Sequence, residues 1–137
     1  MEEPTRIPFE DGQFDVATCV CVYHHVDPAI RVAHMAEVRR VLKPGGIMAV
    51  FEHNPLNPVT RAVVRRCPVD VDAILMKRGE CLDNLRSAGF AEVSAKFTLF
   101  LPQSVYEFLG MPSTRIESAL GGLPLGGQYV AWGRAPL

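Results

Sequence analysis

Apolar residues fall in short runs divided by polar turns, and two periods alternate along the chain. Val16 to Val22 is apolar or small on both faces and rich in β-branched residues, the pattern of a buried strand in a parallel sheet. Ile47 to Phe51 reads the same way. Between them, Met35, Val38, Val41 and Leu42 recur at spacings of three and four, predicting a helix from about Pro28 to Leu42. Asp27 suits its N-cap and Pro28 its first position. Arg39, Arg40 and Lys43 sit where cations favour the negative dipole end, and Pro44-Gly45-Gly46 stops it. Strand, helix and strand make a βαβ unit with a right-handed crossover.

Downstream, Glu52 to Pro58 is a loop, and Val59 to Cys67 predicts a short helix carrying Arg61, Arg65 and Arg66. Leu82, Leu85 and Ala88 define a helix from about Gly79, closed by Gly89 as a C′ glycine. Phe90 to Leu101 is expected to be a strand. Weaker helical pieces follow at Val105–Gly110 and Arg115–Leu120. Gly121 to Gly127 is a turn-rich hinge, and Gln128 to Gly133 a final strand. No crossover helix directly precedes that strand, so it is expected to run antiparallel. Phe97, Phe100, Tyr106, Phe108 and Trp132 are read as core aromatics.

The length, 137 residues, suits one domain. Fourteen Lys and Arg against fifteen Asp and Glu give a net charge of -1, which removes the broad electrostatic case for nucleic acid or an anionic membrane. No run reaches the ~18 apolar residues of a membrane span, and the acidic start carries no signal-peptide pattern. The four cysteines match no zinc spacing and read as reduced thiols, so a cytoplasmic protein is expected.

Candidate chemistry collects after the first two strands, at the carboxyl edge where open α/β sheets bind ligands. His53 has a reference pKa near neutrality and is the candidate general base. Glu52 and Asn54 flank it as candidate substrate contacts, although Asn54-Pro55 and Asn57-Pro58 can equally shape a loop. Arg61 is a candidate contact for an anionic group, and the spacing to Arg65 puts the two on one helical face. A solvated face is the alternative. His24 and His25 are adjacent and expected to diverge rather than chelate. With no third ligand evident, no metal site is expected.

Three blocks then carry a resemblance: Ile7-Pro8-Phe9-Glu10-Asp11-Gly12-Gln13-Phe14-Asp15-Val16, Val22-Tyr23-His24-His25-Val26, and Val38-Arg39-Arg40-Val41-Leu42-Lys43-Pro44-Gly45-Gly46. In order and spacing they resemble class I S-adenosylmethionine-dependent methyltransferases. Ala88-Gly89-Phe90 and Gly126-Gly127-Gln128-Tyr129 resemble the lead-ins to that family's sixth and seventh strands. Phe51 to Arg61 resembles a loop of a small-molecule branch. The resemblance implies an α/β fold with a partial Rossmann-like sheet, strands four to seven, the last antiparallel, with flanking helices. It implies S-adenosylmethionine as cofactor, with Tyr23, His24 and His25 near its methionine end.

The family's glycine-rich turn after the first strand and the acidic residue ending the second have no counterpart here. Glu2 and Glu3 are poor stand-ins for the acidic residue near the adenine. The chain is therefore expected to be a single truncated methyltransferase-like domain over residues 1–137, inactive alone. Asp15 to Val22 would be an uncovered apolar edge. The expectation is a homodimer or domain-swapped oligomer covering it, or a complementary methyltransferase half. The competing reading is a catalytically inactive homologue serving as an oligomeric or regulatory subunit.

Overall fold

The computed structural model describes residues 6–101, 103–110 and 112–137. Glu2 and Glu3 lie outside them. The elements are β1 (Phe14–Val20), α1 (Arg31–Val41), β2 (Leu42–His53), α2 (Pro58–Arg66), α3 (Arg78–Ser87), β3 (Ala91–Thr98), α4 (Gln103–Leu109), α5 (Ser113–Leu120) and β4 (Gln128–Arg134), with short 3₁₀ turns at Tyr23–His25, Pro28–Ile30 and Pro68–Asp70.

The strands form one open sheet in the order β1-β2-β4-β3. β1 and β2 are parallel, and β4 runs antiparallel to both β2 and β3, as its lack of a crossover helix predicts. The carboxyl ends of β1, β2 and β3 therefore share one edge of the sheet with the start of β4.

Several boundaries differ from the sequence pattern: β1 is shifted two residues toward the amino terminus and β3 ends at Thr98 rather than Leu101. The helix expected from Pro28 starts as a 3₁₀ turn, capped by Asp27 Oδ1 accepting from Ala29 N at 2.8 Å, and becomes α-helical only at Arg31. β2 begins at Leu42 rather than Ile47, because Leu42 already pairs with Phe14. The register then shifts between Phe14 and Val16, and Lys43 to Gly46 bulge outward. Gly45 has φ +77°, and a Cβ on Gly46 would stand 2.9 Å from Lys43 O. Proline and glycine are tolerated in β2 at such a bulge, where the ladder is already broken.

One face of the sheet carries the core. Met48 and Val50 of β2, Tyr129 and Ala131 of β4 and Phe97 of β3 pack with Met35 and Val38 of α1 and Leu85 of α3. The other face is thinly covered. Val16 and Val20 of β1 are 57% and 58% exposed, and their register partners Ile47 and Phe51 are only partly buried. β1 is hydrogen-bonded on one side only, so the apolar edge expected at Asp15–Val22 is present. Phe108, read as core, is 89% exposed, because α4 does not turn that side chain toward the sheet. Phe97 and Tyr106 are buried as expected.

Candidate functional site

The turn after β1 and the end of β2 are locked together by one carboxylate. Glu52, with no exposed surface, accepts at Oε1 from the backbone N–H of Val22 (3.1 Å) and Tyr23 (2.6 Å). Its Oε2 lies 2.7 Å from His24 Nδ1. A buried carboxylate requires such donors, since an unpaired charge is costly away from water. The alternation of β2 delivers it: Met48, Val50 and Glu52 share the core face.

The second lock is Arg31, also fully buried. It donates from Nε to Val26 O (3.0 Å), from NH1 to Glu80 (2.7 Å) and from NH2 to Ile74 O (2.7 Å). Ile74 N in turn donates to His24 O at 2.8 Å. These bonds draw the segment between α2 and α3 across the sheet edge and bring Asp70 to the histidines. His24 Nε2 is 3.3 Å and His25 Nε2 3.4 Å from Asp70 Oδ1.

The expected divergence of His24 and His25 is thus corrected. The 3₁₀ turn at Tyr23–His25 tilts both rings to one side, with centroids 4.1 Å apart. A hydrogen bond from the Cys67 thiol, and next the proximity of His24, hold the Asp70 carboxyl below its usual range. His53 lies beside this group, its ring centroid 5.1 Å from that of His24. Burial, and secondarily His24, lower its pKa, so the ring stays neutral and able to accept a proton.

The other sequence candidates are placed as follows. Tyr23 is buried, with its hydroxyl 2.9 Å from His34 Nδ1, and His24 is buried between Glu52 and Asp70. Of the three residues expected at the cofactor, only His25 presents a substantially exposed ring. Asn54 is buried, donating to the carbonyls of Pro124 (3.1 Å) and Gly126 (2.7 Å) and accepting from Leu56 N (3.0 Å), which ties the loop after β2 to the hinge before β4. Arg61 and Arg65 are exposed and line a cleft of about 400 Å³ with Asp70, Val71 and Leu75. Burial raises the thiols of Cys19, Cys21 and Cys81, that of Cys81 to about 12, so they stay protonated.

Beside His53 a smaller cleft of about 180 Å³ is lined by Val59, Thr60, Val63, Leu99, Gly127 and Gln128. Val59 and Val63, one turn apart on α2, are 69% and 61% exposed, and Leu99 extends the apolar surface. Sequence reasoning missed Asp70, Arg31 and this patch. Asp70 follows Cys67-Pro68-Val69 in a segment without periodicity. Val59 and Val63 at a spacing of four were the available signal for the patch.

The sequence profile of a family described as "Methyltransferase domain" matches residues 1–50. An uncharacterised methyltransferase of Synechocystis is 40% identical over 52 residues, 37% of this chain and 24% of that protein. The demethylmenaquinone methyltransferase of Beutenbergia cavernae is 44% identical over 50 residues, 36% of this chain and 20% of that protein. Among solved structures, an S-adenosylmethionine-dependent methyltransferase of Thermotoga maritima superposes with a TM-score of 0.70 at 24% identity, over 94% of this chain and 59% of that one. The chain thus spans less than two thirds of each of these proteins. Residues 1–50 thus match a methyltransferase-domain family, and the order and direction of the strands give the chain the fold of S-adenosylmethionine-dependent methyltransferase structures.

Proposed function

We propose that this chain forms the acceptor-side half of an S-adenosylmethionine-dependent methyltransferase for a small molecule with an apolar body. The observation that carries this reading is the open apolar surface of Val59, Val63 and Leu99 lining the cleft at His53. An exposed apolar patch rimmed by a few polar groups is the usual form of a binding site. One curated relative is a demethylmenaquinone methyltransferase, in keeping with a small-molecule acceptor.

The residues present fit one side of the cofactor. The Val22–His25 backbone is held rigid by Glu52, and His25 faces outward. The free edge of β1 is where a segment supplying the opposite wall would pair. When bound, the cofactor supplies an electrophilic methyl group on sulfur. His53, kept neutral by burial, accepts the acceptor's proton. Glu52 and Asn54 position the two sides of its loop, and Arg61 suits an anionic substituent on the acceptor.

Methyl transfer from labelled S-adenosylmethionine to hydroxylated aromatic acceptors, read with the β1 edge completed by a complementary methyltransferase half, tests the proposal. His53→Gln should lower the rate ~100-fold or more and remove the ionisation below about pH 6.5 from the rate profile. An unchanged rate and profile would remove His53 from the role of base. Absence of any transfer to such acceptors would sink the acceptor-side reading.

A second reading rests on the edge itself. Two copies joining β1 to β1 about a two-fold axis would make a continuous sheet and an oligomeric subunit without catalysis. Sedimentation at micromolar concentration, with Val16→Lys and Val20→Lys as interface variants, tests it. A dimer broken by both variants supports it, whereas a native monomer excludes it.

A further inference from the structure

The cluster His24, His25 and Asp70 joins two elements that the sequence separates, and it brings two imidazole nitrogens to one carboxylate oxygen. His24 is bounded at both ring nitrogens by carboxylates. Nδ1 faces Glu52 Oε2 at 2.7 Å and Nε2 faces Asp70 Oδ1 at 3.3 Å. If the Nδ1 hydrogen donates to Glu52, the Nε2 lone pair of a neutral ring points at a carboxylate oxygen. Two acceptors at that distance repel unless a positive centre lies between them. His25 Nε2 approaches the same oxygen at 3.4 Å. A positive centre there, either a proton on Nε2 or a bound metal ion, satisfies both atoms, and the approach of a second imidazole to the same oxygen favours the ion.

We propose that His24 Nε2, His25 Nε2 and Asp70 Oδ1 bind one divalent first-row transition-metal ion. Ligand atoms ~2.1 Å from a tetrahedral ion stand ~3.4 Å apart, and both His–Asp separations already match that edge. All three donor atoms lie within 4.8 Å of one another. The His24–His25 edge would close by rotation of the His25 ring, which is 37% exposed.

The second layer is also in place. A metal-binding imidazole characteristically donates its other N–H to a carboxylate, which fixes tautomer and orientation. Glu52 does this for His24, is itself held by two backbone N–H groups, and has no exposed surface. Two imidazoles and one carboxylate suit Zn²⁺, Co²⁺, Ni²⁺ or Fe²⁺ and disfavour Mg²⁺ and Ca²⁺, which prefer oxygen cages. Three protein ligands leave a further position open, the arrangement of catalytic rather than structural metal sites. That position lies on the same sheet edge as His53.

Metal binding by the native chain is read without cofactor or acceptor, so its outcome is independent of the proposed methyl transfer. Calorimetry with Zn²⁺ should give one site per chain, with Mg²⁺ silent. His25→Ala, at an exposed position, and the near-isosteric Asp70→Asn should each weaken Zn²⁺ binding tenfold or more while the far-ultraviolet spectrum is kept. Co²⁺ should give weak visible bands of nitrogen and oxygen ligation, and paramagnetic shifts on the His24 and His25 ring protons of the native chain. The shifts keep the test decisive if a variant fails to fold. Undiminished affinity in folded variants, a sulfur-to-cobalt charge-transfer band pointing to cysteines, or no stoichiometric binding would overturn the proposal.

Discussion

Removing the Glu52 carboxylate should cost this protein much of its stability, whereas neutralising it should cost less. The side chain accepts from Val22 N–H, Tyr23 N–H and the His24 ring, the last two bonds buried and the first part-buried. Glu52→Ala leaves these donors without an acceptor. A buried donor left unpaired costs ~1–3 kcal/mol, so three cost roughly 3–6 kcal/mol after partial relaxation, before any cavity term. Whole domains are stable by only ~5–15 kcal/mol. Glu52→Gln keeps a carbonyl oxygen for the two backbone donors and loses mainly charge assistance. The difference between charged and neutral hydrogen bonds is ~1 kcal/mol each, so about 1–3 kcal/mol is expected. Urea unfolding followed by circular dichroism measures both, with an unchanged denaturant slope confirming that the same transition is compared. Equal losses in the two variants, or losses below about 0.5 kcal/mol, would show that this carboxylate does not satisfy those donors and would refute the locking role.

Arg31→Lys should destabilise by about 2–4 kcal/mol despite keeping the charge, because an ammonium cannot reach Val26 O, Ile74 O and Glu80 together as the guanidinium fork does; the same unfolding curves measure it. His34 has its pKa lowered, chiefly by burial. The unfolded chain therefore takes up its proton first, and stability should fall as pH drops through the window below about 6.5. His34→Phe should flatten that slope in melts at pH 5.5 and 7.5, and an unchanged slope would assign it to another group. Gly126→Ala should lose roughly 1–3 kcal/mol, since its Cβ would stand 2.3 Å from Thr98 O, a backbone atom that cannot rotate away; thermal melts give the value.

The strands, the main helices and the antiparallel end were legible in the sequence because each rests on local periodicity. The run Val16 to Val22, the three-four spacing of Met35 to Leu42 and the turn at Gly89, which has φ +89°, all appear at or near their expected places. β2 starts early because its first residue answers to β1, which no local pattern encodes. Strand ends also showed which residues reach the ligand-binding edge, but not which way they face. Glu52 and Asn54, read as substrate contacts, turn inward to hold backbone donors and carbonyls. Asp70 escaped because its role depends on Arg31 pulling a patternless segment across the sheet. Val59 and Val63 fit a helical period, which does not show that they face solvent.

The order β1-β2-β4-β3 also governs when the sheet can exist. β4, which fills the gap between β2 and β3, is translated after both. At ~5–20 residues per second, several seconds of synthesis separate β2 from the strand that completes it. Throughout that interval β3 has no neighbour in the sheet and β2 has only β1. Folding on the ribosome must therefore wait for Gln128–Arg134, and the nascent chain carries two unsatisfied ladders that invite chaperone capture. A ribosome-stalled chain ending before Gln128 should be digested by protease as an unfolded polypeptide.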